Sequence, residues 1–158
     1  MIFVAADPRI EKWVASKIPA VGDKGFGPCQ AVGIIGKSGA AVCGIVYHDY
    51  QPQCGTVQVS FASSNPVWAR KRVVAKLLYT PFVTWGVGKV WAAIPHTSDR
   101  TIRLAIALGF RKEATLRRQF GDAHAVIVGM LNHEYQHKYG EYCHVPDAKS
   151  HAETGLAA

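Results

Sequence analysis

The chain has no C-x-x-C pair, no internal repeat, no low-complexity linker and no apolar run near the length of a membrane span. Each absence excludes something. Four scattered cysteines (Cys29, Cys43, Cys54 and Cys143) in 158 residues form neither a metal-knuckle spacing nor a dense disulfide framework. A domain of this size buries enough surface to need no cross-links, so reduced thiols in a cytoplasmic protein are expected. The opening stretch, MIFVAADPRIEK, lacks a basic leader followed by an apolar segment, so no secretory signal is expected, and no membrane attachment. Acidic residues are also few, 11 against 18 Lys and Arg, and the resulting charge of +7 calls for an anionic partner. Nucleic acid, a phosphorylated cofactor and an acidic protein all answer to it, and charge alone does not choose among them.

What is present reads as one globular domain over residues 1–131, followed by a polar, His-containing tail over 132–158. Ile2 to Ala5 is a short strand. Asp7 caps and Pro8 starts a helix with Ile10, Trp13, Val14 and Ile18 on one face, ended by Pro19. Gln30–Ile35 and Ala40–Tyr47 pair as a hairpin around Gly36–Gly39, and His48–Gly55 is a polar loop. Thr56–Ala62 and Lys89–Ile94 are strands on either side of a helix, which implies a parallel pair. A helix capped by Thr97 or Ser98 turns Ile102, Ala105, Ile106 and Leu108 inward and stops at Gly109. Phe110–Phe120 and His124–Leu131 close the domain as a second hairpin. The order β-α-β-β-β-α-β-α-β-β predicts an α/β (α+β) fold with a mixed sheet and helices on both faces.

The stretch from Ser60 to Phe82 organises the rest. Its strand runs out at Ser63-Ser64, Asn65 is a good N-cap, and Pro66 fits the first helical position. A helix is predicted from Pro66 to about Thr80, with Val67, Trp68, Val73, Val74, Leu77 and Leu78 on its apolar side and Pro81 kinking or ending it. Arg70, Lys71, Arg72 and Lys76 stand on its early turns and other side. A helix N-terminus with three cations is a seat for phosphate. A solvated basic helix face is the plainer reading of the same residues.

Five pieces in order resemble the GNAT family of acyl-CoA-dependent N-acyltransferases, in particular small phage-type members. They are Val59–Phe82, Lys89–Ile94, Thr97–Phe110 (TSDRTIRLAIALGF), Lys112–Arg117 (KEATLR) and Ala125–Glu134 (AVIVGMLNHE). The resemblance implies a mostly antiparallel sheet of six to seven strands whose central parallel pair splays apart around the pantetheine arm of acetyl-CoA or another acyl-CoA. By position it assigns Phe61, Ala62 and Ser63 to that arm. It assigns Arg70, Lys71, Arg72, Val73 and Val74 to the pyrophosphate, and counts Arg103 among the cofactor contacts. It implies a small-molecule or protein amine as acceptor, a possible homodimer, and the cytoplasm, that of the host if the chain is phage-encoded. Where the family has R-x-x-G-x-G/A, this chain has Trp68-Ala69-Arg70-Lys71-Arg72-Val73 with no glycine. Either side-chain cations replace backbone donors there, or acyl-CoA binding is lost and the scaffold serves to bind a host protein. Ala105 stands where many members place a tyrosine acid, and Ser98 where asparagine is common. The candidate catalytic group is therefore His96 as base with Asp99 beside it, and Ser98, a nearby tyrosine or water as acid. His48, Asp49 and Tyr50 reach toward the acceptor side from their loop, where ordinary loop polarity explains them more simply.

His133-Glu134-Tyr135-Gln136-His137 is H-E-x-x-H, a zinc-protease pattern when carried by a buried helix. Cys143 occupies the third-ligand spacing with His144 one place late, the preceding run reads as strand, and both methionines lie upstream. No metal site is expected. A nucleic-acid binder is suggested by charge and Arg117-Arg118 but has no binding motif behind it.

Overall fold

The structure, a computed structural model, describes residues 1–143. It contains β1 (Ile2–Ala5), α1 (Pro8–Ser16), β2 (Cys29–Ile35), β3 (Ala41–Gln51), β4 (Thr56–Ser63), α2 (Lys71–Leu77), β5 (Lys89–Pro95), α3 (Asp99–Leu108), β6 (Arg111–Phe120), β7 (Ala123–Leu131) and α4 (Asn132–Tyr139). The strands form one seven-stranded sheet in the order β1-β2-β3-β4-β5-β7-β6. Every neighbour pair is antiparallel except β4 with β5. The expected mixed sheet with one parallel pair is what forms. Among the described residues no helix is long and apolar enough to cross a membrane.

Helices cover both faces of the central strands, whose apolar residues point to both sides, while β6 at the edge stays exposed. On one face α1 lays Ile10 and Val14 against Ala31, Val46 and Ala62. Its start is set as the sequence predicts, with the Asp7 carboxylate accepting the Arg9 N–H at 2.9 Å. The helix sits close because Gly33 and Gly44 face each other across β2 and β3 beneath it. A Cβ on Gly44 would lie 2.7 Å from Val14 Cγ2 and 2.8 Å from Ile10 Cγ2. Gly44→Ala is expected to destabilise the fold by about 1–3 kcal/mol through overpacking, read as a lower urea midpoint at unchanged slope.

The opposite face holds the larger core, built on Val57, Val59, Trp68, Val74, Leu77, Val90, Val128 and Met130 under α2, α3 and α4. Here the structure departs from the sequence reading in four places. The helix predicted from Pro66 to Thr80 is broken. Asn65 does cap through its side chain, but it caps a single 3₁₀ turn, Pro66–Trp68. Ala69 then leaves helical geometry and Arg70 is extended (φ −91°, ψ 145°), so α2 starts only at Lys71. The break follows from Trp68, whose indole N–H donates to Ser63 Oγ at 2.6 Å and whose ring is buried. Val67 is left exposed instead of lying on the apolar side.

Past α2 the chain makes a π turn, Thr80–Thr84, around Pro81. Proline has no N–H for the carbonyl four residues back. The Tyr47 hydroxyl donates to that carbonyl, on Leu77, instead. On α3, Leu104 rather than Ile106 turns inward, and Ile106 is exposed. Gly109 ends α3 in the left-handed conformation (φ 103°), as expected.

The largest correction concerns the C-terminal segment. Residues from Asn132 do not begin a polar tail: α4 is docked, with Tyr135 0% and Tyr139 1% exposed. Asn132 Nδ2 donates to the Phe82 and Val87 carbonyls, and Tyr135 Oη donates to Ala75 O at 2.8 Å. Tyr139 Oη and Lys138 Nζ donate to Leu108 O and Ala107 O at the end of α3. The helix therefore satisfies carbonyls that α2 and α3 leave unpaired near their C-termini. Residues 144–158, including His144, lie outside the described residues.

Candidate active site

The two central strands are held along their outer edges by different partners. β4 follows β3 from Thr56 to Ser63, and β5 follows β7 from Lys89 to Pro95. To each other they pair only at Thr56–Lys89, Val57–Val90 and Gln58–Trp91. Beyond that point the two halves of the sheet diverge, and backbone donors and acceptors of both strands face the gap. The gap opens into a cleft of about 950 Å³.

Strand alternation divides the cleft lining between the two faces. Val59, Phe61, Ala92 and Ile94 look toward α2 and α3, where Leu77, Leu104 and Leu108 complete an apolar wall. No residue of α3 is fully buried. Gln58, Ser60, Trp91, Ala93 and Pro95 belong to the other face, with His48 and the segment after α1, Lys17–Val21.

His48 is the residue the sequence reading undervalued. It lies within β3, not in a loop, because that strand continues to Gln51. Its Nε2 is 2.9 Å from Ser60 Oγ on the splayed part of β4, and its ring packs against Phe26 at 5.1 Å between centroids. Burial holds the His48 imidazole below its ordinary pKa of 6.5, against a smaller opposing pull from Asp49. The signal available in the sequence was the strand alternation carried one residue past Tyr47, which puts His48 on the face of Val46; the β3–β4 register then brings it to Ser60.

The three residues expected to be catalytic are placed as follows. Ser98 lines the cleft as the N-cap of α3, and its side chain makes no capping hydrogen bond. Asp99 is exposed and paired with Arg103 at 2.5 Å, outside the cleft lining. His96, at the end of β5, is exposed and also outside it. His96 Nδ1 accepts the His124 backbone N–H at 2.9 Å, and His124 Nδ1 accepts that of Arg118 at 2.9 Å. A neutral imidazole has one acceptor nitrogen. In both rings it is taken, and the proton sits on Nε2.

Of the expected cofactor contacts, Phe61 lines the cleft. Ala62 is buried toward α1, and Ser63 Oγ is engaged by Trp68 and by Asn65 O. Val74 lines the cleft, and Val73 packs on the core beside it. Arg70, Lys71 and Arg72 are exposed around the start of α2 and form no ion pair among the described residues. The backbone N–H groups of Lys71 and Arg72 have no acceptor among the described residues, as at any helix start. Arg103 is committed to Asp99.

The H-E-x-x-H residues do lie on a helix, α4, but His133 and His137 are exposed. Glu134 is occupied: it pairs with Arg111 at 2.9 Å and accepts the Leu131 N–H. No cluster of three metal-ligating side chains occurs among the described residues.

A seven-stranded, mostly antiparallel sheet with one parallel pair and flanking helices is the acyl-CoA N-acyltransferase (GNAT) fold. No protein-family model matches the chain, and no curated protein matches it. Among solved structures, the spermidine/spermine N-acetyltransferase SpeG of Vibrio cholerae superposes with a TM-score of 0.68 at 9% identity, covering 86% of this chain and 95% of that one. A point mutant of the same enzyme gives 0.67 at 7% identity over 85% and 97%. Its dodecameric form gives 0.60 at 9% identity over 69% and 68%. At these identities the likeness is one of fold.

Proposed function

We propose that the chain is an acyl-CoA-dependent N-acyltransferase that carries out direct attack of an amine on the thioester. The observation that carries this reading is the β4–β5 ladder, which stops after three residue pairs and opens into the cleft. An extended, amide-bearing pantetheine arm fits a gap whose walls offer unladdered backbone groups and whose floor is apolar. The exposed cations Arg70, Lys71 and Arg72 suit a diphosphate at the neighbouring helix start through charge-assisted contacts. Acetyl-CoA, or another acyl-CoA, would supply the activated acyl group, with its thiol as leaving group.

The chain's own residues then do three things. Unladdered N–H groups of the splayed strands polarise the thioester carbonyl, an oxyanion-hole role. Ser60 Oγ faces the amine and donates its own proton to His48 Nε2 as it accepts one from the ammonium, with His48 carrying its resting proton on Nδ1. Ser98 donates a hydrogen bond toward the departing sulfur. His96 and Asp99, with Arg103, support the start of α3 and the β5 end from outside the cleft. Self-association along the exposed β6 edge belongs to the same reading, one SpeG neighbour being dodecameric.

The test is calorimetry with acetyl-CoA. Micromolar binding is expected. Arg70→Glu and Arg72→Glu are each expected to weaken it by about tenfold, the size of one charge-assisted contact. Absence of binding by the unaltered protein would remove the proposal.

A further inference from the structure

We infer, on the acyltransferase reading above, that the acceptor is an apolar monoamine of the arylalkylamine type and not a polyamine. Among the described residues no Asp or Glu lines the cleft, and its one charged side chain is the cation Lys17. The acids flanking it in sequence lie outside its lining: Asp99 pairs with Arg103 and Asp122 with Arg118 at 3.2 Å, Asp49 holds only a neutral hydrogen bond from Gln51 Nε2 at 2.9 Å, and Asp23 is exposed. A polyamine brings ammonium groups that do not react, and each must leave water with no carboxylate to meet it. The net charge of +7 adds repulsion at longer range.

The wall facing Ser60 and His48 is instead made by Val21, Trp91, Pro95 and Phe120. Trp91 and Phe120 are half-buried and present aromatic surface to the cleft. An aryl group stacks there favourably, and such surface gives a small ligand most of its affinity. A monoamine carries only one charge, on the nitrogen whose proton passes to Ser60 and His48. No permanent counter-ion is needed for it. The acceptor pocket thus differs in kind from one suited to the spermidine for which the structural neighbours are named.

The experiment uses the full chain with saturating acetyl-CoA and compares tryptamine, phenethylamine and spermidine as acceptors, with acetyl-CoA binding measured on the same sample. The expected kcat/KM for tryptamine exceeds that for spermidine by about tenfold or more, within the range one unpaired charge commands in a site. Gln58→Glu, which adds a carboxylate to the cleft, is expected to narrow that ratio by about tenfold. Trp91→Ala, an independent variant, is expected to raise the KM for tryptamine by about tenfold while moving that for spermidine little. Spermidine turned over as well as tryptamine overturns the acceptor class and leaves the acyltransferase reading standing. So does acetyl-CoA binding with neither aromatic amine acetylated. No acetyl-CoA binding removes both.

Discussion

Replacing His48 by glutamine is expected to lower kcat by about 10²- to 10⁴-fold, the range that a positioned general base contributes, while acetyl-CoA binding is retained. Glutamine preserves a polar contact to Ser60 but takes no proton. In the unaltered protein burial pushes the His48 pKa below 6.5, so the ring is neutral and able to act at pH 7. Activity is then expected to fall only as pH drops through that lowered value, and the acid limb of the kcat profile should vanish in His48→Gln. The same shift has a stability consequence of defined sign. Between the folded pKa and 6.5 the unfolded chain binds more protons, so the contribution of neutral His48 is fully present above 6.5 and is lost as pH falls through the folded pKa. His96→Gln is the comparison: its acceptor nitrogen already holds a backbone N–H, so kcat is expected to change by less than about threefold. A kcat for His48→Gln within about threefold of the unaltered protein, or a large loss confined to His96→Gln, would return the base to the end of β5.

Tyr135→Ala is expected to destabilise the protein by about 3–5 kcal/mol, the range for deleting a buried aromatic ring. The ring stacks on Phe82 at 4.6 Å between centroids, and its hydroxyl donates to Ala75 O. Tyr135→Phe keeps the stacking and leaves the carbonyl unsatisfied, for an expected loss of about 1–3 kcal/mol. At this chain length each kcal/mol lowers Tm by about 2–4 °C, so the alanine variant should melt roughly 10 °C earlier. Thermal unfolding followed by circular dichroism measures both. If α4 were a polar appendage, neither variant would move Tm appreciably, and the docking of this helix would be refuted.

The two predictions mark where local sequence information runs out. β4 and β5 were legible, and so was the presence of a helix between them though not its break before Lys71, because hydrophobic periodicity and strand–helix–strand order are local properties. The register at which β4 and β5 part was not, since it depends on each strand staying zipped to a different antiparallel neighbour. Asn65 was rightly read as a cap, but which helix it caps was decided by Trp68 reaching back to Ser63. No pattern in Asn65–Arg72 encodes that contact. His133-Glu134-Tyr135-Gln136-His137 drew attention through its histidines, which are exposed. Tyr135 within it and Tyr139 two places beyond it matter to the fold, because carbonyls on two distant helices lack donors.

Composition and order were enough to set the architecture, the excess of positive charge, and a cluster of cations in the segment that follows the first strand of the parallel pair. These follow from residue-by-residue preferences for burial, backbone geometry and solvation. The tertiary structure alone joined His48 to Ser60, kept the carboxylates of the described residues out of the cleft and spent the acceptor nitrogen of His96 on a neighbouring strand. Each of those depends on strand register and on which segments the fold brings side by side, and no residue's own preference specifies either.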